Sequence, residues 1–335
     1  MHPVIAALPR HRLFAEPSPF HRLERLEQVL GGRVELWIKR EDLLPLAFGG
    51  NKLRNLEFLV GAALADGADT LITSGRRWSN HCRLTAAAGA HAGLAVHLIL
   101  SGPPADAVDP GRRSPSASLE AMLGAHVTQL PTADRAAREA AVLAAADAVR
   151  GAGGRPYVIP VGGSGLPGAW GQVLAAQELL IQAAEARAMP DVVVLPSATG
   201  GTQAGLLAGL RSEGSAALIH GVLVARTDSE LRPAITATLG DLGQGLGQPV
   251  GEDQILLDPS QLGDGYGVPT VAADDAAALL ARSEGILVDP IYTAKALSGL
   301  IERIRSGRWD GRRVVFWHAG GTPGLFEPLD GPQPQ

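Results

Sequence analysis

Lys52 follows two glycines and an asparagine in the run Phe48-Gly49-Gly50-Asn51-Lys52-Leu53-Arg54-Asn55-Leu56-Glu57 and opens an apolar-periodic stretch. A lysine placed where flexible backbone meets a helix start can reach a bound aldehyde. Held in a low-dielectric pocket, it loses its proton readily enough to form a Schiff base. Taken alone, the same residues also describe a loop with a solvated lysine. A second segment, Ser197-Ala198-Thr199-Gly200-Gly201-Thr202-Gln203-Ala204-Gly205-Leu206, follows the buried-strand run Val192-Val193-Val194-Leu195. Gly200 and Gly201 at a helix start let backbone N–H groups approach a phosphate closely, and the hydroxyls of Thr199 and Thr202 add donors. An ordinary strand-to-helix turn has the same look, but with Lys52 in the chain the phosphate reading prevails. No lysine follows the second glycine, so this is not an ATP-binding loop.

These residues need strands and helices to position them. The run Asp69-Thr70-Leu71-Ile72-Thr73-Ser74-Gly75 reads as a strand leading through Trp78-Ser79-Asn80-His81 into a small-residue helix, Thr85 to His91. Ser79 suits an N-cap as well as a ligand contact. Tyr266 and Tyr292 are two of only three tyrosines, and each fits a half-buried core aromatic or a pocket wall. Apolar runs at 36–38, 95–100, 157–160 and 217–224 alternate with Ala-rich helical stretches at 56–65, 132–151, 168–188 and 203–211. That alternation predicts parallel sheets covered by helices, an α/β fold. A helix is expected over 19–30, a loop over 102–115, a glycine-rich connector over 240–251 and a frayed tail over 330–335.

Composition narrows the function classes. The chain has 335 residues, enough for two lobes, and is 46% hydrophobic but only 4% aromatic, so Ala, Leu, Val and Ile must fill its core. A net charge of −5 supplies no basic field, which disfavours a nucleic-acid partner. The single cysteine, Cys82, excludes an intramolecular disulfide and a multi-Cys metal site, and no metal is expected. The apolar run near the N-terminus is too short for a signal peptide and no long uncharged segment follows, so a cytoplasmic protein without a membrane partner is expected.

Eight segments in order resemble the pyridoxal-phosphate enzymes of the D-cysteine desulfhydrase and aminocyclopropane-carboxylate (ACC) deaminase family, within the tryptophan-synthase-β-like fold. They are KREDL at 39–43, GGNKLRNLE at 49–57, SNHCR at 79–83, Gly162-Gly163-Ser164, ATGGTQAGL at 198–206, Gly265-Tyr266-Gly267, Asp289-Pro290-Ile291-Tyr292-Thr293-Ala294-Lys295 and His318-Ala319-Gly320-Gly321. The resemblance runs from about Leu13 to Phe326. It implies a fold-type II enzyme with pyridoxal 5'-phosphate between two open parallel-sheet three-layer domains. Residues 51–164 would form the small domain, and 1–50 plus 165–335 the large one. It also implies that Lys52 carries the cofactor as a Schiff base, with Asn51, Thr199, Gly200, Gly201 and Thr202 around it. Asn80 would face the cofactor's 3-oxygen, Ser79 the substrate carboxylate or a proton in transfer, and Tyr266 and Tyr292 would line the substrate pocket. His81 lies in the same substrate-side segment, more as a structural than as an acid group. A homodimer acting on a small amino acid is the implied assembly.

The chain departs from that family at several points. Trp78 stands where a Gln is usual, and Arg76 and Arg77 where small or apolar residues are. Ala319 replaces a hydroxyl or aliphatic residue, and Pro115-Ser116 a Gly-Asn pair. Guanidinium pairs with carboxylate, sulfonate or phosphate in a bidentate way. Arg76, Arg77 and Trp78 therefore raise the expectation of a substrate with a second anionic group, such as cysteate, beside D-cysteine itself. Thr293 stands where ACC deaminases carry a glutamate opposite the pyridine nitrogen. A neutral partner there weakens the electron sink, which favours α,β-elimination to a 2-oxo acid and ammonia over cyclopropane opening to 2-oxobutyrate. ACC deaminase is the alternative activity, and a non-catalytic pyridoxal-phosphate-binding protein the alternative class.

Overall fold

The structure is a computed structural model that describes residues 2–109, 111 and 113–329. Ten strands form two sheets: β1 Phe20–Arg22, β2 Glu35–Arg40, β3 Thr70–Arg76, β4 Ala95–Ser101, β5 His126–Leu130, β6 Pro156–Val158, β7 Val192–Ser197, β8 Leu218–Leu223, β9 Leu256–Asp258 and β10 Arg313–His318. The larger sheet has the order β1-β2-β10-β7-β8-β9 and the smaller β5-β4-β3-β6. Every pairing is parallel except that of β1 with β2.

The all-apolar strands are explained by burial on both faces, since successive side chains point to opposite sides. Val193 and Leu195 of β7, with Val315 and Trp317 of β10, pack into one core beneath the helices Ala169–Glu185 and Gly201–Ser212. Val192 and Val194, with Val314 and Phe316, point into the opposite core beneath Val271–Glu284 and Thr293–Arg305. The smaller sheet repeats this plan. Leu71, Leu98 and Leu100 meet the helices Lys52–Ala65 and Asn80–Ala92 on one side. Ile72 and Ile99 meet Val142 and Ala146 of the helix Arg135–Gly151 on the other.

Three local expectations need correction. The segment 19–30 begins as strand β1, because Phe20, His21 and Arg22 pair with Lys39, Ile38 and Trp37, and the helix runs only from Glu24 to Val29. The glycine-rich stretch from Gly240 is largely helical, since the helix Asp228–Leu246 continues through it. Gly245 there lets the Trp170 ring lie against the helix, where a Cβ would sit 2.7 Å from the ring. Residues 102–115 contain the short helix Ala105–Val108. The expected tail at 330–335 lies outside the described residues.

Candidate active site

The carboxyl ends of β3, β7, β8 and β10 converge on one cavity of about 220 Å³, where ligands of open parallel sheets bind. Beyond these ends lie Ser79 and Asn80 after β3, Thr199 to Thr202 after β7, Arg226 after β8 and Gly320 after β10.

Lys52 enters from the helix that follows Gly49 and Gly50. Both glycines have positive φ, at 63° and 129°, a region that side chains resist. They let the turn lie against the β10 end: Asn51 N–H donates to Ala319 O at 2.9 Å, and a Cβ on Gly320 would stand 2.6 Å from Gly50 Cα. The helix then distributes its polar residues by face. Asn55, one turn after Lys52, donates to Gly163 O at 2.9 Å and accepts from Gln172 Nε2 at 2.5 Å, and Gln172 Nε2 also donates to Asn51 O at 2.9 Å. Arg54 faces the other way and binds Glu41 and Glu178. Burial alone would lower its pKa, but Glu41 and Glu178 raise it above the ordinary value. Glu57 accepts from Arg10 and from Leu13 N–H, which seats the N-terminal segment. The motif around Lys52 is thus mostly a mounting for Lys52. Its amine lines the cavity, and burial lowers its pKa to about 8, closer to the neutral form that a nucleophile needs.

Opposite Lys52, the helix Gly201–Ser212 starts on Gly200 at φ 85° with no side-chain cap. The N–H groups of its first turn lack intrahelical acceptors and carry the positive end of the helix dipole. Thr199 Oγ1 accepts from Ser164 Oγ at 2.6 Å, and Thr202 Oγ1 accepts from Asn51 Nδ2 at 2.9 Å. Those bonds leave the threonine hydroxyl protons available beside the uncapped turn. Among the described residues no Asp or Glu lines the cavity. An uncapped helix start, hydroxyl donors, an acid-free wall and an amine near pKa 8 fit a phosphorylated aldehyde.

The profile of pyridoxal-phosphate dependent enzymes matches residues 12–320. The D-cysteine desulfhydrase of Salmonella typhi is 40% identical over 324 residues, covering 96% of this chain and 97% of that one. The chain belongs to the pyridoxal-phosphate-dependent enzymes. A solved ACC deaminase homologue superposes with a TM-score of 0.88 at 31% identity, covering 97% of each chain. The processed form of threonine deaminase isoform 2 from Solanum lycopersicum, at 18% identity, covers 95% of this chain and 81% of its own with a TM-score of 0.62, and shows the shared fold. The fold is that of the fold-type II branch of the family, and the cofactor is pyridoxal phosphate.

Ser79, Asn80, His81, Tyr266 and Tyr292, expected on the substrate side, all lie on the cavity wall. Ser79 Oγ accepts from Cys82 N–H at 3.3 Å and caps the helix Asn80–Ala92. Asn80 Oδ1 accepts from Arg83 Nη2 at 3.1 Å, which turns its amide N–H groups the other way. Arg83, fully buried, also donates to Ala47 O and Gly49 O, so it ties the turn before Lys52 to Asn80. His81 donates from Nε2 to Thr73 Oγ1 at 2.9 Å, because the Thr73 hydroxyl proton goes to Ile159 O. Burial, then Lys52, lowers its pKa to about 3, so the ring is neutral and its Nδ1 is an unpaired buried acceptor. The Tyr266 and Tyr292 hydroxyls hydrogen-bond to each other. Burial raises both pKa values, that of Tyr292 well above 10, so the pair keeps its protons.

Four expected site residues are not on the cavity wall. Arg77 is buried against Glu327 Oε2 at 3.4 Å and Pro328 O, where it fastens the C-terminal segment. Trp78 is 1% exposed and lies under the Arg76 and Arg77 guanidiniums, whose Cζ atoms stand 4.9 and 4.7 Å from its ring centroid. Gly267 makes room for that ring. Gly201 stands behind Gly200 against Ser164. The Thr293 hydroxyl donates to Asp289 Oδ1 at 2.5 Å and accepts from Asp289 N–H at 2.9 Å, so it serves the turn before its own helix. Arg138 and Arg226 line the cavity and went unnoticed in the sequence. Arg138 lies in the Ala-rich helical stretch 132–151, where no local motif marks it. Arg226 carried a usable signal, its place just beyond the carboxyl end of a buried parallel strand.

Proposed function

We propose that the enzyme removes the α-proton and the β-substituent of a small amino acid, D-cysteine being the first candidate, to give a 2-oxo acid and ammonia. The observation that carries this reading is Lys52, an amine lowered to about pKa 8 that shares one cavity with a protonated tyrosine pair. The relative called D-cysteine desulfhydrase supports the choice of substrate. Pyridoxal phosphate supplies the electron sink for the carbon that loses its proton.

Each residue has one task. The uncapped turn at Gly200 to Thr202 and the Thr199 hydroxyl would hold the phosphate. Ser79 and the start of the helix Asn80–Ala92 receive the substrate carboxylate, while Asn80, held by Arg83, presents its amide to the cofactor. Lys52, as a neutral amine, takes the α-proton. The Cβ–S bond breaks with its electron pair on sulfur, and the Tyr266 and Tyr292 pair hands a proton to the departing hydrosulfide. The released enamine takes up water and gives pyruvate and ammonia, so that D-cysteine and water become pyruvate, hydrogen sulfide and ammonia. Thr293, committed to Asp289, places no acid at the cofactor, which supports elimination over cyclopropane opening.

The test is pyruvate and sulfide release from D-cysteine by the purified protein, with ACC as the comparison substrate. Lys52→Ala should lower turnover by on the order of a thousandfold or more. Faster formation of 2-oxobutyrate from ACC than of pyruvate from D-cysteine would reverse the assignment. We also propose a two-domain division at residues 51–164 against 1–50 plus 165–335, a homodimer, and a cytoplasmic location. Among the described residues no helix is long and apolar enough to cross a membrane, which supports the last. A monomeric mass in solution would refute the dimer.

A further inference from the structure

Arg138 and Arg226 reach the cavity from opposite sheets. Arg138 lies in the first turn of the helix Arg135–Gly151, which packs on the smaller sheet, and Arg226 lies three residues beyond β8 of the larger one. Arg138 Nη1 donates to Ser101 Oγ at 3.3 Å, and Ser101 in turn donates to Gly75 O at 3.2 Å, which fixes this guanidinium beside the Ser79 turn. Its Nε is buried without a partner. Neither Arg138 nor Arg226 has an ion pair among the described residues. Arg226 lines the same cavity as Tyr266 and Ser79. Burial, then repulsion from Arg135 and Arg138, lowers the Arg226 pKa, with Glu230 the carboxylate that opposes this. Glu230 is itself occupied as a cap, bonded to Thr227 N–H and hydroxyl at 2.8 Å. Two cations from opposite sheets therefore face one cavity that no Asp or Glu among the described residues lines.

We propose that Arg138 and Arg226 bind an oxyanion carried on the substrate's β-substituent, so that the preferred substrates are amino acids with a β-sulfonate, β-sulfate ester or β-phosphate ester. This rests on the elimination reading above and supplies its missing specificity. The cofactor phosphate already has the uncapped turn at Gly200, and the substrate carboxylate has the Ser79 turn, which leaves this pair for a third anion. Planar guanidinium matches such tetrahedral oxyanions through paired N–H groups. The leaving group is itself an anion. When the Cβ–S or Cβ–O bond breaks, the electron pair departs on sulfite, sulfate or phosphate, and the arginines stabilise the charge where it forms. The rest of the reaction is unchanged: the α-proton goes to Lys52, and water converts the enamine to pyruvate and ammonia. Arg76 shares this wall. The expectation that Arg77 would join it fails, since Arg77 is bound to Glu327.

Two measurements test the pair on the cofactor-loaded enzyme. The first compares kcat/KM for both enantiomers of cysteate, serine O-sulfate and O-phosphoserine with that for β-chloroalanine, whose leaving group carries no oxyanion. At least one oxyanion substrate should be preferred by about tenfold or more, and Arg138→Gln and Arg226→Gln should each lower that ratio by about tenfold, mostly through KM. The lysine variants should recover part of it. The three substrates also separate sulfonate, sulfate and phosphate as the group accepted. The second measurement is calorimetric binding of 3-sulfopropanoate against propanoate, which needs no turnover. The sulfonate should bind about tenfold tighter, and both glutamine variants should erase the difference. Equal binding of the two acids in the wild type, or a ratio that survives both substitutions, overturns the proposal. So does a loss of pyridoxal-phosphate affinity in either variant, because the pair would then belong to the cofactor. If β-chloroalanine yields no pyruvate, the elimination reading falls while the calorimetry still decides the oxyanion site.

Discussion

The turn from β3 into Asn80–Ala92 ends on Ser79, whose hydroxyl accepts from Cys82 N–H, whereas the turn from β7 into Gly201–Ser212 starts on Gly200, which has no side chain to cap anything. Both turns leave parallel strands at their carboxyl ends and both face the same cavity. The first supplies its own acceptor and uses the helix to present side chains, Asn80 and His81 among them. The second leaves its N–H donors for a ligand. A cap and a phosphate compete for the same donors, so under the proposed function the difference between Ser-Asn and Gly-Gly assigns one turn to the substrate and the other to the cofactor.

The largest break in that division comes from Gly200→Val. Its φ of 85° strains any β-branched residue, and the new Cβ would stand 2.6 Å from Ile235 Cγ1. Pyridoxal-phosphate affinity, followed by titration of the apoprotein, should fall by on the order of a hundredfold. The next effect needs no substitution. Burial depresses the Lys52 pKa to about 8, so the neutral amine that captures the aldehyde dominates above pH 8 and is lost as pH falls below it. Capture of pyridoxal phosphate should slow about fiftyfold between pH 8 and pH 6 and level off above pH 9, where an ordinary lysine would still be gaining reactivity. A rate that climbs unbroken to pH 10 contradicts the buried amine.

Ser79→Ala addresses the other turn. Loss of the cap should cost about 1 kcal/mol of stability and lower kcat/KM by roughly tenfold, with cofactor affinity unchanged within about twofold. A drop in cofactor affinity comparable to that of Gly200→Val would erase the distinction between the turns. The smallest effect is expected from Gly201→Ala. This residue is already helical, and its new Cβ would meet Ser164 Cα at 3.0 Å, a contact that a small shift of the Ser164 loop relieves. Cofactor affinity should fall about twofold to fivefold, because gained helix propensity partly offsets the shift.

The parts of this molecule legible in its sequence are those where one residue type answers one physical demand. Val192 to Leu195 reads as a buried strand, and Gly49-Gly50 before Lys52 as flexible backbone at a helix start, and both elements stand there. What stayed hidden depends on partners distant in the chain. Phe20 to Arg22 joins the sheet only because β2 offers an edge, and no local pattern in three residues announces that. Arg77 reads as a pocket residue until Glu327, 250 positions away, claims it. Thr293 stood at the right place in its motif, yet its hydroxyl is taken by Asp289 four residues earlier. Arg138 and Arg226 stay illegible for the opposite reason: no Asp or Glu among the described residues lines the cavity they face, and no local pattern announces such an absence.

The strand order of the larger sheet has a consequence for biosynthesis. β10, the last strand among the described residues, lies between β2 and β7 rather than at an edge. A nascent chain that ends before residue 313 therefore has two half-sheets with open edges and no seat for the Lys52 turn, which docks on Ala319 and Gly320. Chains released early would expose pairing edges and aggregate rather than act. A product truncated before β10 thus lacks both the centre of its larger sheet and the surface on which the Lys52 turn rests.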